Sequence, residues 1–341
     1  MTDGGAPLFT AVASSPRQLH HLLNTISFAP RVQVRITSEG IRFAAAETGV
    51  LEASIFLSRP LFLTYRLSSP PTTSPTSSPP TTIFTLPLPP LLSTLQILAS
   101  ASAPDVPLRS SSSEPYSSLS HRLARHANAF SASVLGTQGQ CRIVYRADSA
   151  RLELSVPETG GVRTGSSLTT YLEDEGREEI PFDREGVRCK AILPASVLGD
   201  AVGDIAALGP PEVFVVEGGG EEKWLVLRGE GGAGGECRVE FGEEEGGGRT
   251  KLLETWQCAG RVVGRYAFGT VRKALVAMRA GTKVSLRIDG QGVLSLQFLV
   301  EVGEGGEEKG REEVAFVDFR IVPLFDGAEE GEEEGSEDEE D

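Results

Sequence analysis

Two hydrophobic rhythms alternate along this chain. Stretches with an apolar residue at every second position predict half-buried strands. Stretches with apolar residues at i, i+3, i+4 and i+7 predict helices with one buried face. Residues 8–13 predict a first strand. Ser15 and Pro16 then mark a helix start, because serine can cap free amides and proline fits the first turn. Leu19, Leu22, Leu23 and Ile26 give that helix its apolar stripe. Strands are predicted at 31–37, 40–47, 50–57, 61–67 and 82–86, with Ser38-Glu39-Gly40 turning the first two into a hairpin. Pro89 and Pro90 open a second helix whose Leu91, Leu92, Leu95 and Leu98 point inward. A hairpin over 143–156 and a strand over 166–172 follow.

The second half repeats this order. A strand at 187–193 leads into a helix at about 194–208, with Leu198, Val202, Ile205 and Leu208 inward. Strands at 212–216, 223–228, 236–241 and 251–258 come next. A last helix over about 267–280 places Phe268, Val271, Leu275 and Met278 on one face, and strands at 283–289, 293–300 and 313–322 close the chain. Both halves carry Arg-x-Asp before a short polar turn: Arg146 with Asp148, and Arg287 with Asp289. A duplicated unit of strand, helix, strands, helix, strands predicts an α+β protein of two similar modules, an architecture suited to arcs and rings.

Composition changes this picture in three places. Residues 68–80 are nearly all Ser, Thr and Pro, and residues 100–139 are rich in Ser and Ala; both read as flexible insertions, with a short helix at 119–130 in the second. The formal charge of −16 is uneven: residues 327–341 hold eight Glu, two Asp and no basic residue, leaving −6 for the rest. That run predicts a solvated, disordered tail. Residues 173–183, also charged, predict a connector, so the expected units are 1–172, 184–326 and the tail. Cys141, Cys189, Cys237 and Cys258 form no C-x-x-C pair and lie in or beside apolar runs, which predicts buried free thiols in a reducing compartment. No signal peptide or membrane-length apolar stretch is present, so a soluble intracellular protein is expected. No Lys/Arg cluster marks a nuclear import signal.

Catalytic motifs are weak. Gly229, Gly231 and Gly234 match G-x-G-x-x-G, but strands lie on both sides where a dinucleotide site needs a helix after the loop. His20, His21, His121 and His126 accompany no nucleophile. Asp148 and Asp289 would be the acids of a metal-dependent nuclease, yet they belong to equivalent turns of separate modules. The remaining chemistry is electrostatic. Arg272 and Arg279 share a face of the last helix with Lys273 beside them, and Arg17, His21 and Asn24 lie opposite the first helix's leucines. Such faces can track phosphates without reading sequence; the alternative is an ordinary solvated face. Asp200 and Asp204 make the corresponding face of the 194–208 helix acidic.

The string RVQVRITSEGIRFAAAETGVLEASIFL near the start resembles the sliding-clamp fold typified by PCNA. The closing strings VRKALVAMRAGTKVSLRIDGQGVLSLQFLV and EVAFVDFRIVPL resemble the Rad-one-type subunit of the heterotrimeric DNA-damage checkpoint clamp. The resemblance covers most of the chain outside the insertions, the glycine-rich loops and the tail. It implies two similar domains with antiparallel sheets outside and helices lining a hole. It implies a nuclear, non-enzymatic subunit without cofactor or metal. Its partners would be two other clamp subunits, a clamp loader, double-stranded DNA, and repair and checkpoint proteins. Arg17, Arg272, Lys273 and Arg279 would face the hole. Glu236, Cys237, Arg238, Val239, Glu240 and Phe241 would form an edge strand for a neighbouring subunit. An exonuclease, a homotrimeric processivity clamp and a β-rich scaffold unrelated to DNA are the rival expectations.

Overall fold

A computed structural model describes residues 6–47, 49–68, 81–101, 139–158, 162–172, 179–207, 209–219, 224–242, 252–302 and 314–325. Both insertions and the acidic tail lie almost wholly outside these, as do the helix expected at 119–130 and residues 173–178 of the connector.

The repeat is complete at the level of elements. The first half runs β1 (Phe9–Ala13), α1 (Pro16–Asn24), β2 (Arg31–Ile36), β3 (Gly40–Glu47), β4 (Leu51–Ser58), β5 (Phe62–Leu67), β6 (Thr82–Pro87), α2 (Leu88–Ala101), β7 (Cys141–Arg146), β8 (Arg151–Pro157) and β9 (Arg163–Thr169). The second half runs β10 (Cys189–Pro194), α3 (Ala195–Ala207), β11 (Val213–Gly218), β12 (Trp224–Glu230), β13 (Cys237–Gly242), β14 (Thr255–Cys258), β15 (Val262–Ala267), α4 (Phe268–Arg272), α5 (Leu275–Ala280), β16 (Lys283–Ile288), β17 (Leu294–Glu301) and β18 (Val314–Ile321). Strand β15 was absent from the sequence expectations, because its inward Gly264 has no side chain and its outward Val263 is apolar, which hides the alternation. The single helix expected over 267–280 is two short helices. Lys273 N–H bonds to Thr270 O and Ala274 N–H to Val271 O, a tightening to i→i−3 that breaks the α pattern. Ser15 stands at the N-cap with extended backbone, but its hydroxyl makes no capping bond.

Three antiparallel sheets result, ordered β5-β1-β7-β8-β9, β14-β10-β16-β17-β18-β4-β3-β2-β6, and β13-β12-β11-β15. The two halves therefore share one sheet that runs across both of them. The nine-stranded sheet takes five strands from the second half and four from the first, joined where β18 pairs β4 from Phe316↔Phe56 to Ile321↔Leu51. Alternation sets its faces: Val284, Leu286 and Ile288 of β16 are buried, while Lys283, Ser285 and Arg287 point to the opposite face.

The predicted helix stripes are the buried ones. Leu19, Leu22, Leu23, Ile26, Leu91, Leu95, Leu98, Leu198, Val202, Ile205, Phe268, Val271 and Met278 all join the core; Leu92 and Leu275 pack at its margin. In the first half, Phe84 of β6 stacks on Tyr145 of β7 at 4.2 Å, pinning two sheets together. Across the seam, Phe319 of β18 lies 5.9 Å from Phe298 and 6.2 Å from Phe28 of the first half. The end of the connector crosses the outer face of the shared sheet. Arg42 donates to Glu179 at 2.7 Å, Ile180 N–H donates to Glu52 at 2.9 Å, and Arg320 donates to the Ile180 carbonyl at 2.6 Å. The connector's charge is thus partly consumed in holding it to the sheet.

Candidate DNA-facing helix row and subunit edges

Each half packs its two helices together, α1 on α2 and α3 on α5, and α1 also meets α5 across the halves. The helices form one row, α2–α1–α5–α3, on the core side of the sheets. Arg17 and His21 of α1 and Arg279 of α5 are exposed on this row, and Arg272 is exposed on α4, the short helix that leads into α5. Basic charge is concentrated at its centre. The α2 surface offers Ser93, Gln96 and Ile97, and the α3 surface offers exposed Asp200 and Asp204. The Lys273 Nζ pairs with Glu47 at the β3–β4 turn. That exposed ion pair links the end of α4 to the first half.

The expected edge lies where sequence placed it, one residue displaced. Strand β13 runs from Cys237 to Gly242, so Glu236 belongs to the preceding turn. Its sole strand partner among the described residues is β12. Phe241 is buried beneath it, whereas Arg238 and Glu240 are exposed and pair with each other at 2.7 Å. A second open edge was missed. Strand β9 ends the first sheet and pairs only β8 among the described residues. The strand expected over 166–172 is this one, begun three residues earlier, and only topology reveals that it is an edge. The outer helices sit beside these edges, α2 on β9 and α3 on β13.

The candidate catalytic residues have structural engagements. Asp289 is 1% exposed and accepts from Val293 N–H at 2.9 Å, Gln291 N–H at 3.0 Å and Asp183 N–H at 3.1 Å. It holds the β16–β17 turn and the end of the connector. Asp148, in the equivalent β7–β8 turn, is exposed and accepts from Ser149 N–H. Among the described residues, no three His, Cys, Asp or Glu side chains group to hold a metal ion. The glycine-rich string is the β12–β13 turn, as expected. A side chain on Gly229 would come within 2.6 Å of Ile205 and 2.8 Å of Pro211, so that glycine serves close packing of α3 on β12.

The cysteines divide by environment. Cys141 and Cys189 are buried, but Cys237 and Cys258 are half-exposed, so burial of all four was an overstatement. Burial pushes the Cys141 thiol up to about 12. Since the thiolate is the nucleophile, alkylation of the native protein at neutral pH is expected to modify Cys237 first and to spare Cys141 until unfolding. Peptide mass mapping over a time course reads this order; early Cys141 labelling would contradict the packing of β7.

A family model described as "Repair protein Rad1/Rec1/Rad17" matches residues 8–300. The "DNA damage checkpoint control protein rad1" of Schizosaccharomyces pombe is 28% identical over 319 residues, spanning 93% of this chain and 87% of that protein. The human "Cell cycle checkpoint protein RAD1" is 22% identical, spanning 92% of each chain. Among solved structures, the Proliferating Cellular Nuclear Antigen of Entamoeba histolytica superposes with a TM-score of 0.63 at 12% identity, covering 94% of this chain and all of that one. With the sliding-clamp fold present and the family model spanning most of the described chain, this protein belongs to the Rad1/Rec1/Rad17 repair-protein family.

Proposed function

We propose that this chain is one subunit of a heterotrimeric ring that encircles duplex DNA in the nucleus and serves DNA-damage checkpoint signalling and repair as a platform, without catalysis of its own. The observation that carries this is the relation between the internal seam and the open edges. By order in the repeat, β18 is the counterpart of β9, and β4 is the counterpart of β13. The chain pairs β18 with β4 internally and leaves β9 and β13 as edges. Repeating the seam between molecules, β9 of one subunit against β13 of the next, continues the same arc. A head-to-tail contact of this kind generates a ring when the rotation closes.

The helix row supplies the inner surface. Its central arginines suit contacts to phosphates, while its acidic α3 confines those contacts to part of the arc. The relatives are named for checkpoint control, which favours a checkpoint ring with two other subunits over a homotrimeric processivity clamp. Placement by a clamp loader and recruitment of repair and checkpoint proteins follow from the same proposal. The unit boundaries 1–172 and 184–326 are kept as its domain assignment, with the seam as their shared element. The structural engagement of Asp289 speaks against an exonuclease built on it.

The test is retention on DNA. The chain coexpressed with two clamp subunits of its species is expected to give a trimer that, once loaded, stays on closed circular DNA and slides off linear DNA. Reversing Arg272→Glu and Arg279→Glu should leave the trimer intact and weaken DNA association, with the salt dependence reduced by about two units of slope for two lost phosphate contacts. A trimer held equally by linear and circular DNA, or an unchanged salt slope, would sink the encircling role.

A further inference from the structure

An open cavity of about 620 Å³ lies on the shared sheet's outer face, opposite the helix row, where the connector re-enters β10. Arg184, Arg188, Lys190 and Arg287 line it, with Glu185 as the single acid and Gln257 beside them. Arg287 is compensated by Asp318 at 3.7 Å, yet its Nε is buried without a hydrogen-bond partner. Burial also disfavours its charge, and Arg184 and Arg320 add repulsion. Arg184, Arg188 and Lys190 make no side-chain hydrogen bond or ion pair among the described residues. Unpaired cations gathered in one concavity repel each other, and a chain of net charge −16 has acids to spare for pairing them. Their grouping is suited to an anionic ligand from outside the described structure.

The register shows which anion is within reach. Gln257, Lys190, Arg287, Ser295 and Arg320 form one transverse row from β14 to β18. The chain leaves β18 at Ile321, one residue past that row, and its description ends at Phe325. From β18 to β10 is three strand spacings, about 15 Å. Residues 326–341 span up to roughly 50 Å when extended, and they carry eight Glu and three Asp with no basic residue.

We propose that this cavity is a docking site for a carboxylate-rich peptide, and that its occupant is the chain's own acidic run, residues 327–341. Docked there, the tail lies on the opposite face from the helix row, which keeps its charge away from the surface that meets DNA phosphates. The assignment is independent of ring assembly and is tested on the single chain.

The experiment uses a fluorescein-labelled peptide of residues 327–341 and three proteins: the full chain, a chain ending at Asp326, and that shorter chain carrying Arg184→Ser, Arg188→Ser and Lys190→Ser. None of the three substituted side chains is buried, and circular dichroism with a melting curve confirms that the variant folds. The peptide should bind the shortened chain in a salt-sensitive manner and the triple variant about tenfold or more weakly, three exposed charge pairs being lost. The full chain should also bind it at least about tenfold more weakly, because its site is filled in cis. In the full chain, carbodiimide should couple Lys190 to tail carboxylates within one molecule. Equal binding by the shortened chain and the triple variant, or no binding to either, overturns the site. Equal binding by the full and shortened chains overturns occupancy by the chain's own tail. Duplex DNA that displaces the peptide only when the three cations are present would reassign the cavity to phosphates and overturn the peptide assignment.

Discussion

Phe319→Ala is expected to lower stability by about 3–5 kcal/mol, the range for truncating a phenylalanine in a packed core. Phe319 is fully buried on β18. Its ring meets Phe298 of β17 edge to face and touches Phe28, which follows α1 in the other half. The strand that carries it is also the one that pairs with β4. Truncation would open a cavity at the place where both halves contribute side chains and hydrogen bonds. The loss should therefore register in the whole molecule and not in one half.

An internal control sits three residues away on the same strand. Phe316 is 44% exposed on the outer face, opposite Phe56 at 42%. Phe316→Ala should cost about 1 kcal/mol or less, because it exchanges a partly hydrated ring for a methyl group without leaving a void. Urea denaturation followed by circular dichroism reads both values from the midpoints. A Phe319→Ala midpoint no lower than that of Phe316→Ala would mean that the seam is not packed as described. A broadened or split transition would show the halves unfolding separately, which contradicts a seam that couples them.

Much of this architecture is legible in the sequence, because the signals that define it are local. Stripes such as Leu19, Leu22, Leu23 and Ile26 announce a helix face, and the alternation in residues 284–288 announces a strand. The duplication is visible for the same reason: two similar strings of local signals occur in the same order. Pairing between distant strands is written far more weakly. Nothing in VAFVDFRI states that its partner is LEASIFLS, so the sheet shared by the two modules is not announced by either string. The polar strand β9 is legible as a strand but not as an edge, and β15 is obscured because its inward Gly264 has no side chain while its outward Val263 is apolar. Charge is likewise read only partly from sequence. Lys273 resembles its neighbours Arg272 and Arg279 until Glu47, more than two hundred residues upstream, is placed beside it. The cations at Arg184, Arg188 and Lys190 look like scattered surface charges until β10 and the connector bring them to one cavity.

A proline in β13 is expected to abolish assembly while sparing the fold, and it tests the edge itself. Successive residues of a strand turn their N–H groups to opposite sides. Of Arg238 and Val239, one directs its N–H toward β12 and the other toward the open side. Arg238→Pro and Val239→Pro therefore form a matched pair. The variant whose replaced N–H pointed to solvent should keep a melting temperature near the parent's, since proline is tolerated at a sheet edge on that side; the other should lose a ladder bond and melt earlier. The thermally intact variant is the informative one. It forfeits a donor to the neighbouring strand, leaves an acceptor there unpaired and interrupts the new ladder. At about 1 kcal/mol for a net bond and a further 1–3 kcal/mol for the orphaned partner, association should weaken roughly 30- to 700-fold. Mass measurement after coexpression with the two other clamp subunits should show a folded chain outside the one-to-one-to-one trimer. If the intact variant assembles as the parent does, β13 is not the joining edge, and β9, β5, β6, β14 or β15 must take its place. A parallel loss on placing proline in β9, in a chain that remains folded, would supply the other half of the junction. Together the two results would establish that the ring is closed by repeating the pairing the chain already makes with itself.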